Sequence, residues 1–392
     1  MFTLFIFFAL AIVGNIFSMD ESDQALAKQA HSFYEQNEYG WAEEAYRLLF
    51  ERIKEKKTPE NFDIYNAHVD YGDVLFARGN YKKAVEEWKY RIKAGKFGRK
   101  ELPNMWDGKE SSLEGKTLLV YSERDKGALG DTFIMSWLLR YVWKFAKLKK
   151  LIFVPQEQIV HLYCQTYWID EVVVRGQEPK HDVATYLWSL LGYYLNKENI
   201  FNKIASCSLP REHWFRTSTS KLREPLKELL KPHKKKHRIG FWYRSSGTTT
   251  LAADNRSLDR NIPANKMLAM LTSLKTKNVA LICLEGMGHR PISRSEYEVQ
   301  KQKENNVFDE LDVVDDTLSL DSVTTMPADF DKEKPFADTL AVIHYISRKN
   351  NILMGTDTSI LMLAVGGSLS LSPPSVYALT NKQRDFRWGE DQ

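Results

Sequence analysis

Hydrophobic and polar positions fall into three regimes along the chain. From Phe2 to Phe17 the only interruptions of an apolar run are Thr3, Gly14 and Asn15, the length of a signal-peptide core and short for a membrane span. No Lys or Arg precedes the run, and Ile16-Phe17-Ser18 is a poor cleavage site. Residues 1–18 therefore read as a signal peptide or membrane anchor, the alternative being a cytoplasmic protein whose translation starts at Met19. Over 24–100 the apolar positions repeat at helical spacing. Tyr39, Ala42 and Tyr46 recur as Tyr81, Ala84 and Trp88, while Ala30 and Phe33 match Gly72 and Leu75. These offsets predict two helix-turn-helix units, with small residues where helices approach and aromatics filling the groove.

After Trp106 the period changes. Short apolar runs are read as strands at Thr117 to Glu123, Leu151 to Pro155 and Glu171 to Val174, and again at Ile239 to Tyr243, Val279 to Glu285 and Asn351 to Asp357. Helical stretches separate them, one starting near Asp131. Such alternation predicts an α/β architecture with parallel sheets in two Rossmann-like halves, 110–232 and 236–392. The loops after Glu123, Tyr243 and Gly355 should then line a shared cleft at the carboxyl ends of the strands.

Composition narrows this only at the edges. Among 392 residues, 43% are hydrophobic and 27% charged, which excludes a wholly disordered or fibrous chain. The net charge of +4 is too small to argue for nucleic acid. The basic run HKKKHR, His233 to Arg238, carries no interleaved aromatics and reads as a solvated tether between the halves. Cys164, Cys207 and Cys283 form no CxxC pair, so a cysteine-rich zinc site is out. The acidic stretch Asp309 to Asp321 lacks calcium-loop spacing and reads as loop and strand edge. Asn255-Arg256-Ser257 is a lone glycosylation sequon.

The second helical unit, DYGDVLFARGNYKKAVEEW, resembles a tetratricopeptide repeat, although Tyr39 and Tyr81 stand 42 positions apart, more than the usual spacing of about 34, which implies a lengthened connection at Lys56 to Phe62. Three further segments resemble bacterial tetratricopeptide-repeat glycosyltransferases related to the lipopolysaccharide heptosyltransferases. They are LEGKTLLVYSERDKGALGDTF, IGFWYRSSGTTTLAADNRSL, and PFADTLAVIHYISRKNNILMGTDTSILMLAVGG with a closing DFRW. The resemblance implies a GT-B fold that moves a sugar from a nucleotide diphosphate sugar to a glycan, lipid or protein acceptor, without metal or cofactor. The repeats would hold a peptide or protein.

On that resemblance Asp131, at a helix N-terminus where the dipole favours the carboxylate, is the candidate general base; an N-cap role explains it equally well. Asp357, Thr358 and Ser359 follow a buried strand and open a helix, so their backbone N–H groups and hydroxyls can cradle a diphosphate; capping would also explain the Thr and Ser. Arg256, Ser257 and Arg244 are donor-site candidates, the arginines to neutralise phosphate in place of a metal. Trp242 belongs to the same set, though an aromatic in a strand ordinarily packs in the core. Three departures weigh against activity. Met362 stands where the family carries a histidine, Arg124, Asp125 and Lys126 lengthen and charge the first loop, and the family's further helix after DFRW is not within Gln392. An exported enzyme would also lack its cytoplasmic donor. A second reading follows, a catalytically silent repeat scaffold.

Overall fold

The computed structural model describes residues 22–55, 62–96, 100–109, 112–125, 129–164, 166–197, 222–243, 262–273, 278–285, 290–303, 312–316, 318, 320–321, 323–327, 329–346, 351–356 and 375–379. The chain divides into two compact units, one built mainly from residues up to Glu101 and the other from Leu102 on.

The first unit is helical. Helices α1 (Asp23–Glu35) and α2 (Tyr39–Glu55) pack as one hairpin, and α3 (Ile64–Ala77) and α4 (Tyr81–Trp88) as another. Ser22 and Asp63 start α1 and α3 by accepting the Ala25 and Asn66 N–H groups at 3.2 and 3.0 Å. Ala30, Ala42, Ala45, Leu49, Leu75 and Ala84 are fully buried between the helices. Gly72 shows why small residues stand there: a Cβ at this position would lie 2.9 Å from the Trp88 ring and 3.1 Å from the Ala84 carbonyl oxygen. The Trp88 indole is then fixed by donating to Asp73 at 2.9 Å. Both helix-turn-helix units are therefore present, with aromatics filling the groove as the spacing predicts.

The second unit is mixed α/β with parallel sheets. Strands β1 (Thr117–Tyr121), β2 (Lys150–Val154), β3 (Glu171–Val172) and β4 (Val183–Tyr186) form one sheet in the order β3-β2-β1-β4. A second sheet joins β5 (His237–Trp242), β6 (Val279–Cys283), β9 (Val323–Thr325), β10 (Ile352–Thr356) and β11 (Ser375–Leu379) in the order β11-β10-β5-β6-β9. Between them in sequence, β7 (Ile292–Ser293) and β8 (Val313–Val314) pair as a separate ribbon. Leu118, Leu119, Val120, Leu151, Ile152 and Phe153 are all fully buried, as continuous apolar runs must be when helices cover both faces.

Helix α5 (Leu129–Phe145) follows β1 and short helix α6 (Val160–Tyr163) follows β2, with α7 (Leu190–Lys197) after β4. In the second half, α8 (Glu224–Leu230) precedes β5, α9 (Ala264–Ser273) lies between β5 and β6, α10 (Arg294–Lys301) follows β7, and α11 (Ala337–Ile346) precedes β10. Met267, Leu268 and Leu271 of α9 pack with Ile239, Phe241, Leu281 and Met354 on one sheet face. On the other, α11 comes so close that a Cβ at Gly240 would sit 2.6 Å from Ile346 Cδ1.

Two expectations need correction. His237 and Arg238 are not tether: they open β5, and Arg238 is 3% exposed, its guanidinium donating to the Tyr345 carbonyl and stacking 4.2 Å from the Tyr345 ring. The Tyr345 ring and the Tyr345 and Lys234 carbonyls together take up the buried guanidinium, while Lys234 and Lys235 keep their own charges in solvent. Secondly, β1, β5 and β6 end at Tyr121, Trp242 and Cys283, one or two residues short of the expected ends: the Ser122 and Leu284 N–H groups still reach Val154 and Phe241 of the neighbouring strands, whereas the Tyr243 N–H turns to the Glu285 side chain.

Candidate functional site

In both sheets the strand order reverses at one point, between β1 and β4 in the first and between β5 and β10 in the second. In open parallel sheets the crevice forms there, outside the carboxyl ends, because the connections leave to opposite faces.

At the first crevice Glu123, two residues past β1 and 4% exposed, accepts the Trp188 N–H at 2.9 Å, and Trp188 stands two residues past β4. Ser122 donates its N–H to Val154 at 2.9 Å and its hydroxyl to the Arg124 carbonyl at 3.0 Å. The start of α5 is anchored by buried polar contacts: Thr132 donates to Gln156 at 2.9 Å, and Ser136 donates to the Thr132 carbonyl at 2.6 Å while pairing with the Tyr163 hydroxyl. Asp131 is the third residue of α5 and half-buried. Leu129 already carries helical geometry, so the carboxylate sits inside the first turn, where unpaired N–H groups favour negative charge.

A similar bond lies beside the second crevice, on the β6 side of β5. Glu285, two residues past β6 and 7% exposed, accepts the Tyr243 N–H at 2.6 Å. The Tyr243 hydroxyl donates to Asp312 at 2.8 Å, and both side chains are fully buried. Burial, reinforced by Cys283, Glu285 and Asp312, pushes the Tyr243 phenol well above its usual range, so it stays a donor. The Tyr243 carbonyl accepts the Ile262 N–H at 2.9 Å, which brings the two ends of residues 244–261 together. Trp242 is the last residue of β5, fully buried against Gly355, its register partner in β10. It thus forms part of the core beneath the crevice.

Arg244, Arg256, Ser257, Asp357, Thr358 and Ser359 lie outside the described residues, as does Met362. The structure describes the strands that lead to them: Tyr243 precedes Arg244, and Thr356 at the end of β10 precedes Asp357. Sequence reasoning passed over Glu285, Asp312 and Tyr243. A signal was there, because SLEGKTLLVYSE and VALICLE share an apolar run followed by a buried glutamate two residues past the strand. Among the described residues no three His, Cys, Asp or Glu side chains converge as a metal site.

No protein-family model and no curated protein sequence matches the chain. Three solved glycosyltransferases follow a similar course of the backbone over part of the chain. A family 9 glycosyl transferase from Veillonella parvula superposes with a TM-score of 0.42 and 13% identity over 71% of this chain and 85% of that one. The iron-containing dodecameric glycosyltransferase TibC of E. coli gives 0.37 and 12%, over 66% of this chain and 57% of that one. E. coli ADP-heptose lipopolysaccharide heptosyltransferase II gives 0.35 and 10%, over 67% and 90%. At such scores and identities the likeness carries neither a substrate nor a residue role to this chain.

Proposed function

We propose that the chain is a glycosyltransferase of GT-B type that binds a nucleotide diphosphate sugar at the second crevice and transfers the sugar to an acceptor hydroxyl at the first. The observation that supports this best is the pair of parallel sheets with reversed strand order. Each presents a crevice at its carboxyl edge, with Asp131 in the helix turn beside one and residues 357–359 directly after β10, a strand of the reversal point, in the other.

In the reaction Asp131 takes the proton of the acceptor hydroxyl, and that oxygen attacks the anomeric carbon. The bond from this carbon to the donor phosphate breaks, and the nucleoside diphosphate leaves with the electron pair. Arg244 and Arg256, with the N–H groups at Asp357, Thr358 and Ser359, balance its charge, so this reading uses no metal. The acceptor is a glycan, lipid or protein. The helical hairpins are tetratricopeptide-like repeats that hold a peptide or protein, and residues 1–18 are a leader or anchor. The silent-scaffold alternative has no described contact in its favour.

Titration calorimetry against a panel of nucleoside diphosphates tests the reading. Binding should be weakened by Asp357→Ala about tenfold or more, and sugar transfer should be lost in Asp131→Asn with nucleotide affinity retained. Failure of the wild-type chain to bind any nucleoside diphosphate ends it.

A further inference from the structure

Phe336 stands where a helix ordinarily begins on a hydrogen-bonding side chain. Its carbonyl accepts the Leu340 N–H at 2.9 Å, which makes it the N-cap of α11. That position favours Ser, Thr, Asp or Asn, because their oxygens reach the first free N–H groups. Phenylalanine has no acceptor, and Asp331 supplies one from five residues upstream. Asp331 Oδ1 accepts the Asp338 and Thr339 N–H groups at 2.8 and 3.1 Å, and its Oδ2 accepts the Thr339 hydroxyl at 2.5 Å. Asp338 returns the bond, accepting the Asp331 N–H at 3.0 Å. Arg223 grips the same Asp338 carboxylate in a fork, Nε at 2.9 Å and Nη2 at 2.7 Å, and reaches Asp329 with Nη1 at 2.9 Å.

The backbone breaks a second rule at Phe336. Lys334 to Ala337 closes as a turn, Ala337 N–H to Lys334 carbonyl at 3.0 Å, with Pro335 second and a φ of +65° at Phe336 third. This is the type II pattern, in which the third residue is ordinarily Gly or Asn. A bulky side chain there is strained, and strain of this kind persists only where surrounding structure imposes it.

What the strain secures is a contact between the two α/β halves. The Phe336 ring meets Phe133 edge to face, centroids 5.3 Å apart. Phe133 is fully buried in α5, two residues after Asp131. Beside it, His161 of α6 faces the Pro335 carbonyl and lies near Lys334.

We propose that Phe336 is a positioning residue, a rigid knuckle locked at its base by Asp331, Asp338 and Arg223. It fixes the first turn of α5, with Asp131, relative to α11 and the strand β10 that follows. The mechanical part stands on these contacts alone, whereas its consequence for sugar transfer rests on the glycosyltransferase reading above.

Phe336→Asn and Phe336→Gly suit the turn and remove the ring, so they separate the knuckle from the fold. Nitroxides at the exposed positions Lys144 and Lys301, with Cys164 and Cys207 replaced by serine, report the distance between the halves by electron–electron resonance. The full chain should give one narrow distribution that broadens in both variants and stays narrow in Phe336→Tyr, with Tm held within about 3 °C. A distribution unchanged in both variants overturns the proposal. A drop in Tm of about 10 °C or more also overturns it, because Phe336 is then ordinary core.

In turnover the variants should keep nucleoside diphosphate affinity and donor KM while kcat falls about ten- to a hundredfold. A broadened distribution with full kcat overturns the positioning role. Absence of nucleotide binding by the wild-type chain removes the glycosyltransferase reading and leaves the spin-label result to decide the mechanical claim.

Discussion

The indole of Trp242 packs against Gly355, its partner in the neighbouring strand: a Cβ at 355 would clash with Cε2 and Cδ2 of the ring and lie 2.5 Å from the Trp242 carbonyl oxygen. The two residues meet at the reversal point of the second sheet, so the side-chain void of the glycine is what allows β5 and β10 to pair directly beneath the crevice.

Gly355→Ala should therefore destabilise the protein by about 3 kcal/mol, at the upper end of the usual cost of overpacking. Urea unfolding reads the loss as a lowered midpoint with unchanged slope. A midpoint equal to wild type would show that the indole moves aside freely.

Tyr243→Phe keeps the ring in the core and deletes only the hydroxyl that Asp312 accepts. Asp312 is 0% exposed, so a lost donor leaves part of a buried carboxylate short of its partner. The expected cost is about 1–3 kcal/mol. Asp312→Asn, which retains an acceptor oxygen, should cost less, and an inverted order of the two variants would contradict the assigned bond.

Burial pushes the Asp331 carboxyl up to about 6 against its bonds from Thr339 and Asp338. A raised carboxyl means that the folded state holds a proton which the unfolded chain has released. Stability from this group is thus greatest below the unfolded value near 4 and is lost as pH rises to about 6. Unfolding midpoints at pH 4.5 and 6.5 should show this fall in wild type and a flatter profile in Asp331→Asn. Equal slopes in both would assign the pH dependence to other groups.

Arg223 and Lys227 lie four residues apart and should behave differently. Arg223 forms three side-chain bonds to Asp338 and Asp329, and the Asp338 side chain is 11% exposed. Lys227 pairs with the exposed Glu224 one turn away. Arg223→Ala should cost about 1–2 kcal/mol and Lys227→Ala under about 0.5 kcal/mol. Thermal unfolding of the two variants at low and high salt separates a bonded fork from a screened surface pair.

The central strands were legible because their physical requirement is simple: a strand covered on both faces is a run of apolar residues, and Leu118 to Val120, Leu151 to Val154 and Ala280 to Cys283 are such runs. Two of the missed strands fail that test. Val183–Tyr186 passes directly into Leu187–Ser189 with no glycine or proline between, and Val323–Thr325 is three residues, two of them threonine. The start of α5 at Asp131 was read to within two residues from its glycine and acid. Arg238 and Asp312 were not legible, since each sits in a charged stretch and only the fold brings a ring or a hydroxyl to it. Phe336 shows the same limit more sharply. Capping and turn rules both argue against phenylalanine there, and a contact some two hundred positions away in sequence, to Phe133, overrides them.

The hydrogen bond from Ile262 N–H to the Tyr243 carbonyl joins the described residues on either side of positions 244–261, at the carboxyl end of β5. With its ends already joined, an exchange of the intervening sequence adds loop entropy only as the logarithm of its length. Exchanges within that stretch therefore cost little through chain closure, and the bonds that Tyr243 donates to Glu285 and Asp312 stand outside it.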